Sequence, residues 1–477
     1  MQIIGRKTER NELDRIYAAS GARFVAVYGR RRVGKTFLIK EHFHGSFAFY
    51  HTGLSPYDRS RNSMLADQLH AFFFSLKEHG FTGGQPPRSW MEAFGMLRQL
   101  LCECDSGTRQ VVFIDEMPWL DTPRSRFISA LEYFWNHWAS SNPNIMLIVC
   151  GSATSWIESN LINSKGGLYN RVTNEIKLHP FTLSETEQFF QAKGMRISRY
   201  DVVQAYMVFG GIPHYLDLFE KDFSVAQNID RLLFARSGQL RNEFDRLFGS
   251  LFSDADRHIS VVRQLARTRR GLTRTELLSA TGIHDGGGAS KILRGLIEND
   301  FVSVYSPFGE KRTERYRLTD HFCLFCLRFI GKQTEFDPQF WQKNYNSPKL
   351  SAWRGYAFEE LCFAHIQQIK RALGIGAVSS TQSSWVVKDE NGAVSQIDML
   401  ISRSDNVVNL CEIKFYGGPF TVTRSYDDIL RQRVQTIIEH LPKRKTVHLT
   451  FITSFGLTQG EYSGQMQRVV TLDDLFD

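Results

Sequence analysis

Long apolar runs are missing from this chain. No stretch approaches the roughly 18 apolar residues of a membrane span, and the opening MQIIGRKTER has no apolar signal core. The expectation is a cytoplasmic protein without a membrane span. Cysteine is scarce as well: the seven in 477 residues are odd in number and scattered, mostly within apolar runs. That pattern argues against a disulfide framework and favours reduced thiols. Signs of long disorder are absent too. At 42% hydrophobic and 23% charged, the composition is that of an ordinary globular protein, and the length calls for two or three domains. The net charge of +8 permits nucleic-acid binding, and a mildly basic solvated surface accounts for it equally well.

What is present starts with FVAVYGRRRVGKTFLIKEHF, residues 24–43. Phe24 to Tyr28 is an apolar, β-rich run. Gly29 to Thr36 spells G-x-x-x-x-G-K-T, and a helical segment follows at once. This is a phosphate-binding loop in the setting it requires. Gly29 and Gly34 let backbone N–H groups turn inward around phosphate oxygens. Lys35 reaches the β- and γ-phosphates of ATP, Thr36 offers a hydroxyl to Mg2+, and the helix N-terminus adds positive potential. Arg30, Arg31, Arg32 and Val33 within the loop, and Phe37 after it, complete the expected nucleotide contacts.

A second apolar run, RQVVFIDEMPWL, ends in Asp115 and Glu116. Asp115 is expected to orient the Mg2+ shell and Glu116 to polarise the attacking water. The next run, NIMLIVCGSATSW, places Ser152 at a strand tip, where a simple strand-ending turn explains it equally well. Arg171 follows a Gly-rich turn. It is a candidate for stabilising transition-state charge, although an arginine in a loop is usually only solvated. GGIPHYL, 210–216, reads as a turn between helices of a lid.

The segments IIGRKTERNEL, VYGRRRVGKTFL, VFIDEMPWL, GSATSW and GGIPHYL together resemble the archaeal-type P-loop ATPase family, related to AAA and STAND ATPases, over roughly residues 1–230. The resemblance implies that Ser152 senses the γ-phosphate and that Ile4 to Arg6 lie near the adenine.

Residues 255–320 change character. DRHISVVRQLART, TRTELLSAT and GGGASKILRGLIENDFV read as three helices, with Thr273 as the N-cap of the second. FVSVYSPFG and RTERYRLTD alternate like a hairpin. That order suits a winged helix-turn-helix whose third helix would expose Ser290, Lys291 and Arg294 to DNA. Because that helix carries few basic residues, packing against the nucleotide domain is the favoured role. Cys323-x-x-Cys326 lies among Leu and Phe with no second ligand pair nearby, and reads as a buried helix. Cys102 and Cys104 are read the same way, as part of a buried helix and no metal site.

From about residue 350 the pattern resets. A helix, WRGYAFEELCFAHIQQIKRAL, holds Glu359 and Glu360. A strand series follows with Asp398 and, fourteen residues on, Glu412-x-Lys414. Then come the helix DDILRQRVQTIIEHL and the strand VHLTFIT. Two acids on neighbouring strands can converge on one Mg2+ or Mn2+. Lys414, about 6.7 Å along the strand from Glu412, would orient a water or stabilise phosphorane charge, and Glu359 would complete the metal shell. A structural Glu–Lys pair is the plain alternative. The arrangement resembles the PD-(D/E)XK nuclease superfamily, and more closely the uncharacterised nuclease-like domain that often follows archaeal-type ATPases. Its G-x-x-F-E pattern favours Glu359 over Glu360. The superfamily's Pro is absent, since Ile397 precedes Asp398. Gln432 and Arg433 are candidate phosphate contacts.

The expected architecture is therefore α/β throughout. A P-loop NTPase core with a parallel sheet spans 1–180, a helical lid 181–250, a winged helix-turn-helix 251–330, and a restriction-endonuclease-like α/β domain 350–477. The expected function is ATP hydrolysis coupled to a Mg2+- or Mn2+-dependent nuclease-like domain acting on DNA. The rivals are a STAND-like switch with a non-catalytic C-terminal binding module, and a winged-helix DNA-binding regulator.

Overall fold

In the computed structural model, which describes residues 2–55, 64–164, 166–252, 254–310, 312–331, 336–388 and 394–477, the apolar runs around the two nucleotide motifs form the middle of a parallel sheet. Its strands are β1 (Arg23–Tyr28), β2 (Phe49–Thr52), β3 (Gln110–Asp115), β4 (Ile145–Gly151) and β5 (Asn174–Lys177). Their order is β2-β3-β4-β1-β5, and every neighbouring pair is parallel. β3 and β4 are buried along their whole length and β1 along all but its first residue. This is why they read as unbroken apolar runs rather than alternating ones. Helices Met64–Glu78, Trp90–Glu103 and Phe127–His137 close the sheet through an aromatic core. In that core Trp90 meets Phe72 edge-on at 5.5 Å and Phe127 at 5.0 Å.

Two compact units result, Met1–Pro180 and Phe181–Asp477. The second begins with helices Leu183–Ala192 and Arg199–Phe209. Its middle holds helices Ala255–Leu265, Arg274–Thr281 and Gly287–Glu298, then the antiparallel hairpin of β6 (Val302–Tyr305) and β7 (Arg315–Leu318). Thr273 does cap its helix, in a reciprocal box with Glu276. Cys323 and Cys326 are buried in an apolar helical stretch.

The C-terminal part is a mixed sheet of β8 (Ser380–Lys388), β9 (Val394–Arg403), β10 (Val407–Lys414), β11 (Thr446–Thr453) and β12 (Arg468–Val470), in the order β12-β11-β10-β9-β8. β8, β9 and β10 run antiparallel, while β10–β11 and β11–β12 are parallel. A parallel neighbour needs a crossover, and helix Arg424–Glu439 supplies it between β10 and β11. That helix buries Leu430 and Ile437 against Leu410, Val408 and Phe451 of the sheet. Helix Pro348–Ala364 also packs on β10: Phe358 lies 5.0 Å from Phe415, the residue that follows Lys414.

Candidate functional site

The chain carries two candidate centres, one in each unit. The first lies at the C-terminal ends of β1, β3 and β4. The loop after β1 turns on left-handed residues: Gly29 (φ 140°), Arg32 (φ 72°) and Gly34 (φ 92°). Gly29 also has no room for a side chain, since a Cβ there would stand 2.3 Å from the Leu178 carbonyl oxygen. Lys35 is buried and donates to the carbonyl oxygens of Gly29 (2.9 Å) and Arg30 (3.0 Å), so its ammonium is held inside the loop. Arg30 and Val33 are buried, Arg31 and Arg32 partly buried, and Phe37 exposed.

β4 lies between β1 and β3, yet the two motifs meet: the Thr36 hydroxyl donates to Asp115 Oδ2 at 2.8 Å. Ser152, at the tip of the intervening strand, is buried. It donates to Glu116 through its hydroxyl (2.9 Å to Oε2, 3.0 Å to Oε1) and its backbone N–H (3.1 Å to Oε2). Thus Thr36, Asp115, Glu116 and Ser152 are gathered at one sheet edge. Arg171 sits in an exposed turn of the same unit.

The resemblance placed Arg6 near the adenine and gave it no partner in the phosphate loop. Its guanidinium is buried and donates to the Val33 carbonyl oxygen at 3.1 Å, tying the segment before the first helix to the phosphate loop. Its left-handed backbone (φ 55°) was the only local signal, and that cannot be read from residue type.

The second centre lies on β9, β10 and helix Pro348–Ala364. Glu412 is fully buried. Both its oxygens are occupied. Lys414 Nζ lies 2.6 Å from Oε1, Tyr426 donates to the same oxygen, and Arg433 pairs with Oε2. Asp398 accepts the Ile413 N–H at 3.0 Å and lies 3.8 Å from Lys414 Nζ. Glu359 faces Arg269, 3.7 Å away, while Glu360 is buried 3.4 Å from Arg317.

Burial, and then the charge of Asp398, push the Glu359 carboxyl up to about 8. Burial and Glu412 raise Asp398 to about 6. Burial alone would raise Glu412 also, but Lys414 and Arg433 outweigh it and hold that carboxyl below its usual range.

The expected three-acid cage around one cation is therefore not assembled in this arrangement. Among the described residues no three His, Cys, Asp or Glu side chains are grouped to hold a metal ion. The reason lies in Glu412, which turns to Lys414, Tyr426 and Arg433 rather than to the other two acids. The Glu359–Asp398 pair does fit a cation by its chemistry: a half-buried and a buried carboxyl repel each other, and a positive ion between them would relieve this. Arg433, expected at phosphate, pairs with Glu412 instead. Tyr426 was missed, because nothing in the spacing marks a phenol on the following helix as its partner.

Residues 4–219 match the model of a family described as an ATPase domain predominantly from Archaea. An uncharacterised protein of Methanocaldococcus jannaschii is 22% identical over 368 residues, 75% of this chain and 76% of the relative. A Walker-type ATPase of Pyrococcus abyssi is 18% identical at a TM-score of 0.46, covering 68% of this chain and 96% of that one. The ORC2 protein of Aeropyrum pernix, solved as ADPNP–ADP complexes, is 16% identical at a TM-score of 0.41, covering 68% and 93%. Likenesses this distant carry no functional argument. The family match and the loop geometry make residues 4–219 an ATPase domain. Among the described residues no helix is long and apolar enough to cross a membrane.

Proposed function

Starting from an ATPase domain at residues 4–219, we propose that ATP binding and hydrolysis in the first unit control a nuclease-like domain at the C-terminus that acts on DNA. ATP would occupy the loop from Gly29 to Thr36, and Mg2+, held by Thr36 and Asp115, would neutralise phosphate charge there. Glu116 would orient the attacking water after leaving Ser152. A difference in ATP affinity between two arrangements of the chain would shift their populations.

One observation carries the nuclease-like half: Asp398, Glu412 and Lys414 meet on the two adjacent strands β9 and β10, with Glu359 close enough to be raised by the charge of Asp398. Mg2+ or Mn2+ bound by Glu359 and Asp398, and by Glu412 once released from its present partners, would supply Lewis-acid stabilisation of a phosphodiester. Within that frame Lys414 holds positive charge beside the acids. The helices and hairpin of 255–318, in winged-helix order, would serve as packing or as a DNA-contacting surface.

Cleavage of a nucleic-acid panel under Mg2+ and Mn2+, with and without ATP, tests the reading. The expected result is metal-dependent cutting by the parent, none by Asp398→Asn, and loss of the ATP effect in Lys35→Ala. If Asp398→Asn cuts as the parent does, the assignment fails.

A second reading is favoured by the saturation of Glu412. A carboxylate with three donors needs no metal, so the C-terminal sheet would be a non-catalytic binding module on a STAND-like switch. DNA binding without cutting under either metal would select it.

A further inference from the structure

The turn 268–272 belongs to the middle of the second unit, not to its C-terminal sheet, yet it reaches the acid centre. It is firmly built. Gly271 is left-handed (φ 65°), and a Cβ there would meet the Tyr316 carbonyl oxygen at 2.4 Å. Leu272 and Tyr316 exchange both backbone hydrogen bonds, at 3.0 and 2.8 Å. The Tyr305 hydroxyl donates to the Arg270 carbonyl oxygen at 2.6 Å. Fixed in this way, the turn presents Arg269 to helix Pro348–Ala364. Its guanidinium lies 4.8 Å over the Tyr356 ring and 3.7 Å from Glu359 Oε1, one helical turn further along. The next glutamate is served by the strand that pairs with this turn: Arg317 of β7 lies 3.4 Å from Glu360 and 4.2 Å over Phe363. Arg270, by contrast, turns to Glu276 at 4.0 Å.

We infer that the acid centre is completed from outside its own sheet, with Arg269 as a built-in counter-charge that positions Glu359 and competes with a divalent cation for it. The inference rests on the nuclease-like reading above. The charged groups facing Glu359 are Asp398, Arg269, Glu360 and Lys414. Of the two cations, Arg269 is the one that reaches Glu359 from another part of the unit, and Lys414 is engaged by Glu412. Because coupling between two ligands of one site is reciprocal, whatever withdraws the turn raises metal affinity, and metal binding favours withdrawal. A DNA phosphate arriving beside the turn is the kind of partner that would draw Arg269 away.

The test is Mn2+ titration of the full nucleotide-free chain by calorimetry. Arg269→Ala is expected to bind Mn2+ about threefold more tightly than the parent, the scale of a half-exposed ion pair. Arg270→Ala should match the parent. Glu359→Gln should weaken binding, and in that background Arg269→Ala should change nothing further. A merely structural arginine would not show this dependence on Glu359. Equal or weaker affinity in Arg269→Ala, or tightening that persists with Glu359→Gln, overturns the inference alone. Mn2+ binding that is absent, or indifferent to Glu359→Gln, overturns the nuclease-like reading and the inference with it.

Discussion

At the scale of single residues, the two glycines of the phosphate loop differ in what they forbid. Gly29 combines a left-handed φ with a neighbour 2.3 Å from any added Cβ, whereas Gly34 has a left-handed φ and open space. Gly29→Ala should lower unfolding free energy by about 1–3 kcal/mol and disrupt nucleotide binding. Gly34→Ala should cost less, and paired denaturation curves would show the order. Glu116→Gln removes the group proposed to polarise water. Turnover of ATP is expected to fall about 10²–10⁴-fold with affinity retained, as measured by steady-state hydrolysis beside nucleotide binding. Glu412 makes the opposite kind of prediction, one of stability. Its removal leaves partly buried Arg433 without its paired carboxylate and Lys414 with only Asp398, 3.8 Å away. Glu412→Ala should therefore destabilise the second unit by about 3–5 kcal/mol in urea titrations.

At the scale of elements, helix His321–Phe325 packs against helix Arg199–Phe209 through His321, which is buried with neither ring nitrogen hydrogen-bonded and meets Tyr206 edge-on at 5.5 Å. Burial lowers its pKa to about 4, and does the same to His365. A depressed imidazole binds its proton less readily folded than unfolded. Its share of stability is thus complete above about 6.5 and is lost as pH falls towards 4. His321→Phe keeps the ring, removes the unpaired nitrogens, and should stabilise by about 1–3 kcal/mol. It should also flatten the acid limb of a plot of melting temperature against pH.

Much at this scale was legible in the chain. The phosphate loop, the strand ending in Asp115, the Thr273 cap and the strand series around Asp398 all announce themselves by local pattern, because turns, caps and periodicity are set by near neighbours. The engagement of Glu412 by Tyr426 and Arg433, and of Glu359 by Arg269, did not. Those partners lie 14, 21 and 90 residues away, and residue spacing carries no trace of which distant side chain will fold onto which. Nor does residue type along β10 reveal that both of its faces are buried.

At the scale of the whole molecule, the family match and the packing divide the chain differently. The match runs to residue 219, whereas the first compact unit ends at Pro180. Helices Leu183–Ala192 and Arg199–Phe209 are built into the second unit. The Leu183 N–H donates to His365 Nε2 at 3.2 Å, Arg199 pairs with Asp473 at 3.0 Å, and Tyr200 stacks on Phe415 at 4.7 Å and 4°. A fragment of residues 181–477 should therefore melt in one cooperative transition, followed by circular dichroism. A fragment of 220–477 should lose it, since it uncovers Phe415 and His365. The seven cysteines add a means of watching either unit come apart. Cys102 and Cys104, expected in a buried helix, are instead exposed at the end of helix Trp90–Glu103, Cys150 is sealed in β4, and Cys323, Cys326, Cys362 and Cys411 are sealed in the second unit. An alkylating dye given to the native chain would mark one corner only, and under rising denaturant the order in which the remaining thiols react would tell which half opens first.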